Sequence, residues 1–477
     1  MKNVFCFFII LSFLLFNSCQ QKKENIKVEK YQKGFKYEKD GWIFVHIEGE
    51  PFERGFQYGY LIAEEYIQTF KCYDEMMFQS LGIDMQFVIE NANKLYGNKM
   101  PKEILEELKG IAQGITAKGY NTTLEDIIGW NAWMDITEGY WPKIKPDFAK
   151  YVFIPSQKRK EKCSAFIATG NATKDKKIVI AHSTFDDFWN VQNVNLILDI
   201  KPSKGKAFVM QATPGYVASL TDFFVSSAGI VGVETSFVGF NGFDETKLPA
   251  FIRQRIAMQY AENIDQFIEL LNKENNAGNP ASWLLGDINS NEIVKFEQGL
   301  IFSNIERKKD GYFFGCNIAF DPKIRNLECD GSGYNDIRRH TGGRKVRFET
   351  LLEKYFGKID IQIAKAIMSD HYDVYQRKNF PGANTVCAHY DNDKRKYMSS
   401  SLAVHPEPFS PSGAVDCKIS NSAYLKQMGF IARFGRPCGI VFNAEKFLKK
   451  QPQWNWQKKY LKDREHKSWT TFSSYKK

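Results

Sequence analysis

Ser156-Gln157-Lys158-Arg159-Lys160-Glu161-Lys162 runs without a break into Cys163-Ser164-Ala165-Phe166-Ile167-Ala168-Thr169. The first stretch is uniformly polar and highly charged, which predicts an exposed, cleavable loop. The second reads as a strand with a cysteine at its first position. Turn residues from Gly170 to Lys177 and the run Ile178-Val179-Ile180-Ala181-His182 complete a hairpin. Further strands are expected at Val194 to Ile200, Ala207 to Ala212, Phe223 to Ser227, Ile230 to Phe237, Trp283 to Ile288 and Ile293 to Gln298. Helical stretches at 250–259 and 264–271 separate them, and more helix follows at 345–355 and 361–369. Hairpins interleaved with helical pairs predict an α+β chain in which two sheets are faced by helices.

Upstream, residues 41–162 read as a mostly helical region. Phe52 to Gly59 opens a segment that continues through Ile62, Tyr66 and Phe70 at helical spacing. Met100-Pro101-Lys102-Glu103 has the proline of a first helical turn, and Ile104, Leu105, Leu108 and Ile111 share one face. Asn121 to Asp126 reads as a cap before an apolar helix from Ile127 to Met134.

A strand-start cysteine after a charged loop is what an N-terminal nucleophile requires. Cutting the Lys162–Cys163 bond would give Cys163 a free α-amine. The reference pKa of such an amine is about 7.7–8.0, so it can act as general base for its own thiol near neutrality. Nucleophile and base then reside in one residue, and the cut itself can be attack of the thiol on the preceding carbonyl.

Cys163 to Phe166, the hairpin, and Ala181-His182-Ser183-Thr184-Phe185-Asp186-Asp187-Phe188 resemble the nucleophile region of phospholipase B-like proteins. They are similar, more distantly, to the penicillin acyltransferase family of cysteine N-terminal nucleophile hydrolases. Thr213-Pro214-Gly215-Tyr216, Ser219 to Phe224, Ala228 to Ser236 and Pro411 to Asp416 resemble further blocks of the phospholipase B-like group, in the same order. The likeness covers most of residues 41–445. It implies a four-layer αββα sandwich with its core at 163–445, autocatalytic cleavage before Cys163, and hydrolysis of an acyl amide or ester bond. It also implies that the N-terminal part stays associated after the cut. The substrate class is an acylated small molecule or a lipid. The family name points to a glycerophospholipid ester, whereas the nucleophile chemistry suits amides.

Cys163 is the candidate nucleophile; a buried strand cysteine or a disulfide partner is the structural alternative. Asp186, with Asp187 as its alternative, follows the second strand and can return to the start of the first to hold the new α-ammonium or orient substrate. His182 belongs to the same block and is otherwise a strand-end structural group. An acyl transfer needs donors for its oxyanion, and family position points to Thr235 and to the segment from Asn279 to Ser282. Here the sequence departs from its relatives, which place an asparagine just before the aromatic-Leu-Leu-Gly-Asp strand. Ala281-Ser282 precede Trp283, and the nearest asparagine is Asn279. Arg344 and Arg347, after Gly342-Gly343, are candidates for binding a substrate carboxylate or phosphate, or else line a solvated helix face. Cys387-Ala388-His389 reads as a core or disulfide cysteine beside a structural histidine. No metal or cofactor is expected.

The chain's start carries a separate signal. Lys2 precedes an apolar run from Val4 to Phe16, too short to span a bilayer comfortably. Phe16-Asn17-Ser18-Cys19 resembles a lipobox, which implies a signal peptide at 1–18 and a lipid on Cys19. Two acyl chains there suffice for stable anchoring, so an envelope lipoprotein tethered to a membrane is expected. Residues 19–40 read as a polar tether, and 446–477 as a basic tail. Of nine cysteines, Cys6 and Cys19 fall in this leader. Cys72, Cys163, Cys316, Cys329, Cys387, Cys417 and Cys438 remain, and an odd number flags one unpaired thiol. The net charge of +10 is scattered apart from the tail, and no nucleic-acid motif accompanies it. Two competing readings use the same residues: a non-catalytic lipoprotein that binds through this fold, and an uncleaved Cys-His peptidase pairing Cys163 with His182 or His389.

Overall fold

The computed structural model describes residues 26–148, 163–190, 193–219, 223–393 and 409–476. The signal segment, Cys19, Lys162 and the charged loop before Cys163 lie outside them.

The chain begins with β1 (Val28–Tyr31), β2 (Gly34–Lys39) and β3 (Trp42–Gly49). Most of this lies within the stretch expected to be a polar tether. Its alternation explains the difference: Phe35 and Tyr37 stack on Phe44 of β3, while Lys36 between them points to the opposite face and pairs with Glu65 at 2.8 Å. Six helices follow: α1 (Pro51–Leu61), α2 (Ala63–Leu81), α3 (Met85–Tyr96), α4 (Lys102–Ala117), α5 (Leu124–Met134) and α6 (Trp141–Phe148). The expected cap holds, with Thr123 and Asp126 forming a reciprocal capping box. α1 and α4 approach backbone to backbone, because a Cβ at Gly55 or Gly59 would strike the carbonyls of Glu107 and Ile111. At that contact the Glu107 carboxylate is buried between Arg54 (2.7 Å) and Arg255 (2.8 Å).

β4 (Cys163–Thr169), β5 (Val179–Asp187), β6 (Leu196–Pro202), β7 (Phe208–Ala212), β8 (Phe223–Ser226) and β9 (Ile230–Ser236) come next, then α7 (Ala250–Tyr260) and α8 (Ile264–Asn272). β10 (Ala281–Asp287), β11 (Glu292–Gln298), β12 (Ser303–Lys308) and β13 (Gly311–Gly315) lead to α9 (His340–Lys354) and α10 (Ile361–Met368). A small hairpin, β14 (Tyr372–Asp373) and β15 (Lys378–Asn379), is followed by β16 (Ser412–Ala414), β17 (Asp416–Asn421), α11 (Ser422–Leu425), β18 (Gly429–Phe434), α12 (Ala444–Lys450) and β19 (Thr470–Ser473).

The strands form a ten-stranded sheet, ordered β1-β2-β3-β6-β7-β8-β9-β10-β11-β12, and a seven-stranded sheet, ordered β13-β4-β5-β17-β18-β19 with β16 on β5. Within the two sheets the β3–β6 pair is parallel and the others are antiparallel. Alternation assigns the layers. On β4, Ala165 and Ile167 meet Val231, Val233 and Leu284 between the sheets. Phe166 and Ala168 face outward onto Phe348 and Leu352 of α9 and Ile367 of α10. On β10, Trp283 and Leu285 face the other way, into the helices of the N-terminal region and α7–α8. The result is a four-layer αββα sandwich, helix–sheet–sheet–helix.

Two boundaries shift. The region before Cys163 supplies three strands of the large sheet as well as helices. The expected C-terminal tail ends in β19, whose Phe472 enters the inter-sheet core, so it completes the second sheet. Cys72, Cys387, Cys417 and Cys438 are thiols outside any disulfide. No helix among the described residues is long and apolar enough to cross a membrane.

Candidate active site

Cys163 starts β4, buried, on the face that carries Ala165 and Ile167 into the inter-sheet space. Its backbone is held from both sides. The Cys163 N–H donates to Asn317 Oδ1 at 3.3 Å. Arg344, fully buried on α9, donates through Nη1 to the Cys163 carbonyl at 2.6 Å and to Ser164 Oγ at 3.1 Å. Its Nη2 donates to the same Asn317 Oδ1 at 2.9 Å. Asn317 Nδ2 in turn donates to the Ser236 carbonyl at 2.9 Å, tying the arrangement to the end of β9. Asn317 adopts φ 66°, a left-handed conformation that asparagine tolerates better than most residues.

Arg344 is therefore not on a solvated face; it clamps the backbone of Cys163. Arg347, one helical turn on, makes a two-bond pair with Asp370 at 2.8 and 2.6 Å. The structure gives both arginines partners within the chain.

The β4–β5 register sets Cys163 opposite Thr184. His182, Thr184 and Asp186 therefore share the face of Cys163, and Asp187 points the other way. Asp186 lies two residues past Thr184, beyond the first residue of β4. Its carboxylate accepts from Asn190 Nδ2 at 2.6 Å and from the Asp187 N–H at 2.8 Å. Tyr73 of α2 lies close enough for the Asp186 charge, after burial, to raise its hydroxyl's pKa. Tyr73 packs edge-on against Trp130, Trp133 and Trp189, so the N-terminal helices supply an aromatic wall beside Asp186.

His182 reaches across the sandwich, with Nε2 3.1 Å from the Glu234 carbonyl. Burial and then the nearby Lys418 charge hold its pKa well below the ordinary histidine value. The ring is thus neutral, and Nε2–H donates to the carbonyl. Lys418, fully buried, donates to Thr184 Oγ1 and to Asp416 Oδ1, each at 2.8 Å. Asp416 also accepts from the Thr184 N–H and from Gln211 Nε2. This network fixes Thr184, the residue opposite Cys163.

Thr235 faces the second sheet from β9, packed against Gly315 of β13. Gly315 is the register partner of Ala165, and Asn317 lies two residues beyond it. Thr235 Oγ1 and Ser236 Oγ are buried and make no hydrogen bond among the described residues. A buried hydroxyl without a partner is a donor available to a reacting oxygen. Ser282, beside Thr235 in register, donates its proton to Glu297 Oε1 at 2.7 Å. Burial raises the pKa of Glu297, which also accepts from the Phe320 and Asp321 N–H groups. Asn279 is buried in the turn before β10, where the Pro280 carbonyl accepts from the Phe237 N–H.

The structure thus brings Cys163, His182, Asp186 and Thr235 onto or against one face, and gives the Ser282 hydroxyl another task. Asn317 and Lys418 escaped the reading of the sequence, and Asp416 entered it only as the end of a block resembling the phospholipase B-like group. A lone asparagine just after a strand was the only local signal for the first. The charged residues of β17 gave no sign of burial. Sequence spacing also missed one grouping: His371, Cys387, His389 and Cys438 converge, their ligand atoms all within 4.8 Å of one another.

The phospholipase B family model matches residues 65–474. An uncharacterised protein of Archaeoglobus fulgidus is 24% identical over 258 residues, spanning 52% of this chain and 42% of its own length. A phospholipase B of Crotalus adamanteus is 24% identical over 307 residues, spanning 58% of this chain and 52% of its own. The chain therefore spans about half the length of the curated relatives it matches. Among solved structures, penicillin V acylase from Agrobacterium tumefaciens aligns with a TM-score of 0.32 at 11% identity, over 57% of this chain and 82% of that one.

Proposed function

Since the chain belongs to the phospholipase B family, we propose that it is a hydrolase in which Cys163, released at its amino end by scission of the Lys162–Cys163 bond, attacks the acyl carbon of an amide or ester. The observation that carries this reading is the double clamp on the Cys163 backbone. Asn317 Oδ1 holds its nitrogen, and Arg344 holds both its carbonyl and Asn317. After scission the same oxygen accepts from the α-amine and orients its lone pair toward the residue's own thiol. The amine takes the thiol proton, the thiolate adds to the acyl carbon, and the Thr235 hydroxyl donates to the developing oxyanion. The amine then protonates the leaving amine or alcohol, and water, deprotonated by the amine, releases the acid and restores the thiol. Asp186, on the same face beyond the strand end, stabilises the α-ammonium during the step.

The substrate is an acylated small molecule or a lipid. Trp133, the partly exposed member of the Tyr73–Trp130–Trp133–Trp189 cluster beside Asp186, offers apolar surface to an acyl chain. The enzyme works at a bacterial envelope, attached through a lipid on Cys19. Palmitate labelling that is lost in Cys19→Ala tests the attachment.

Intact mass and N-terminal sequencing of the purified chain, beside Cys163→Ala, test the mechanism. A new terminus at Cys163 in the parent and not in the variant is expected, followed by acyl-enzyme formation with amide or ester substrates. A single uncut chain in both, even after mild acid, refutes it. That outcome favours a non-catalytic binding protein, a reading supported by one observation: the Ser282 proton, at the position where relatives carry an asparagine, is committed to Glu297.

A further inference from the structure

The strongest grouping of chemistry outside the Cys163 site is formed by two histidines and two cysteines from three distant segments. His371 follows α10, at the start of the β14 hairpin. Cys387 and His389 lie on the segment that crosses over β16, and Cys438 lies in the turn after β18. We infer that His371, Cys387, His389 and Cys438 bind a zinc ion in a closed, tetrahedral Cys2His2 site.

The distances support a shared ion. His371 Nε2 and His389 Nε2 are 3.1 Å apart, and each cysteine sulfur lies 3.5 Å from His389 Nε2. Zinc–nitrogen bonds of ~2.0–2.1 Å and zinc–sulfur bonds of ~2.3 Å in a tetrahedron give edges of ~3.3 Å between nitrogens and ~3.6 Å between nitrogen and sulfur. These three edges lie close to the tetrahedral values, and all four ligand atoms lie within 4.8 Å of one another, a spread that a bound ion would draw in. The two imidazole planes cross at 74°, so the rings converge edge-first on a point and do not stack. The Ile440 N–H donates to Cys438 Sγ at 3.4 Å, an outer bond of the kind that supports a thiolate ligand. Cys387 and His389 are almost fully buried. Two thiolates and two neutral imidazoles around a divalent ion leave no net charge there, which removes the main cost of burying the group. Arg436 keeps its own partner, Asp391, at 2.7 Å. Soft sulfur with imidazole in a tetrahedron selects zinc among common divalent ions, and four protein ligands make the site structural, with no position left for a substrate.

The ion would act as a fastener for one wall of the active site. The segment carrying Cys387 and His389 gives its Val386 carbonyl to Ser164 Oγ, next to Cys163. It also pairs with Gly413, which is opposite Asp186. Metal at this point ties that wall to the β18 turn and to α10. The inference stands apart from the hydrolase reading, because none of the four ligands belongs to the proposed catalytic set.

The test uses the full chain, purified under reducing conditions without chelator. Elemental analysis should find about one zinc per chain. Cys163→Ala should retain the zinc, which separates this test from that of the mechanism, and so should Cys417→Ser, a buried thiol outside the cluster. His389→Gln and Cys387→Ser should lose it. Should those variants fail to fold, the parent chain stripped with dipicolinate and titrated with cobalt(II) decides. Visible d–d bands with a thiolate-to-cobalt charge-transfer band, reversed by zinc, support the site. Absence of zinc together with failure to bind cobalt overturns it, as does peptide mapping that shows a Cys387–Cys438 disulfide in the chain as isolated.

Discussion

Replacing Arg344 by methionine removes the group that holds the Cys163 backbone, and the consequences can be worked from its bonds. The guanidinium donates to the Cys163 carbonyl, Ser164 Oγ, Asn317 Oδ1 and the His340 carbonyl. Methionine fills most of the volume and restores none of these bonds. The Cys163 carbonyl and Asn317 Oδ1 each lose a charge-assisted donor in a buried setting, at ~1–3 kcal/mol apiece. The expected loss is therefore ~2–6 kcal/mol of stability, from a total of ~5–15 kcal/mol for an ordinary domain. The variant remains folded at 25 °C over most of that range. Chemistry should suffer more visibly. With Asn317 released, the Cys163 nitrogen loses its fixed acceptor, and displacement of a reacting group by ~1 Å costs ~100-fold in rate. The assay is the time course of scission at Lys162–Cys163 by intact mass, run beside a thermal melt. Arg344→Lys should fall between parent and Arg344→Met, since an ammonium supplies charge without the planar fork. A methionine variant that cuts within ~3-fold of the parent, a difference under ~1 kcal/mol, and melts at the parent's temperature would refute the clamp.

Three further outcomes are expected. Thr235→Val should slow acylation ~100- to 1,000-fold by removing an oxyanion donor. Stability should hardly change, because Oγ1 has no partner among the described residues, and Thr235→Ser should restore the rate; an unchanged acylation rate in the valine variant assigns the hydroxyl no role. Glu107→Ala leaves Arg54 and Arg255 buried without their shared carboxylate and should cost ~3–5 kcal/mol in denaturant unfolding, so a loss below ~1 kcal/mol would contradict the burial of that cluster. His182 is held neutral in the folded chain by burial and by Lys418. Its depressed pKa contributes stability that is present above the unfolded value near ~6.5 and is lost as pH falls below it, at up to ~1.4 kcal/mol per pH unit. Denaturant midpoints at several pH values between ~5 and ~7 should show a slope flattened by one proton in His182→Gln, and parallel slopes would exclude a neutral histidine there.

What could be read from the sequence tracks how local each cause is. β4 is found from Cys163 to Thr169, as expected, because a charged run gives way abruptly to an apolar one. The α5 cap at Thr123 and Asp126 is likewise written within four residues. β1 and β2 were hidden because lysine and glutamate make up half of each, adjacent in β1 and interleaved with Phe35 and Tyr37 in β2. Whether such a segment is tether or edge strand depends on Phe44, which comes later in the chain. β19 was hidden in the same way by the lysines around Phe472. The candidate site shows the same division. Cys163 and Asp186 sit in one hairpin and are legible together. Asn317 and Lys418 act on that hairpin from segments more than a hundred residues away, and nothing near either residue in the sequence points back to Cys163. Cys438 is separated from Cys387 by fifty intervening residues, so no local zinc spacing exists to be recognised.

The topology also constrains what scission at Cys163 can do. β3, which lies before the bond, is inserted between β2 and β6, with seven parallel register pairs to β6 from the far side of it. α1 through α5 bury Tyr58, Tyr66 and Trp130 in the same core as Leu198, Phe251 and Trp283. Tyr58 and Trp130 donate to the carbonyls of Thr213 and Pro214, and the Tyr58 hydroxyl also accepts from the Gly215 N–H. None of these contacts involves the bond to be cut. The energy that holds the N-terminal part to the rest is therefore that of an ordinary domain core, not of an interface between partners. Cleavage there would free the α-amine of Cys163 and leave the aromatic cluster beside Asp186 where it was. In this fold the proposed scission is compatible with an intact core because the chain crosses into the large sheet before it reaches Cys163.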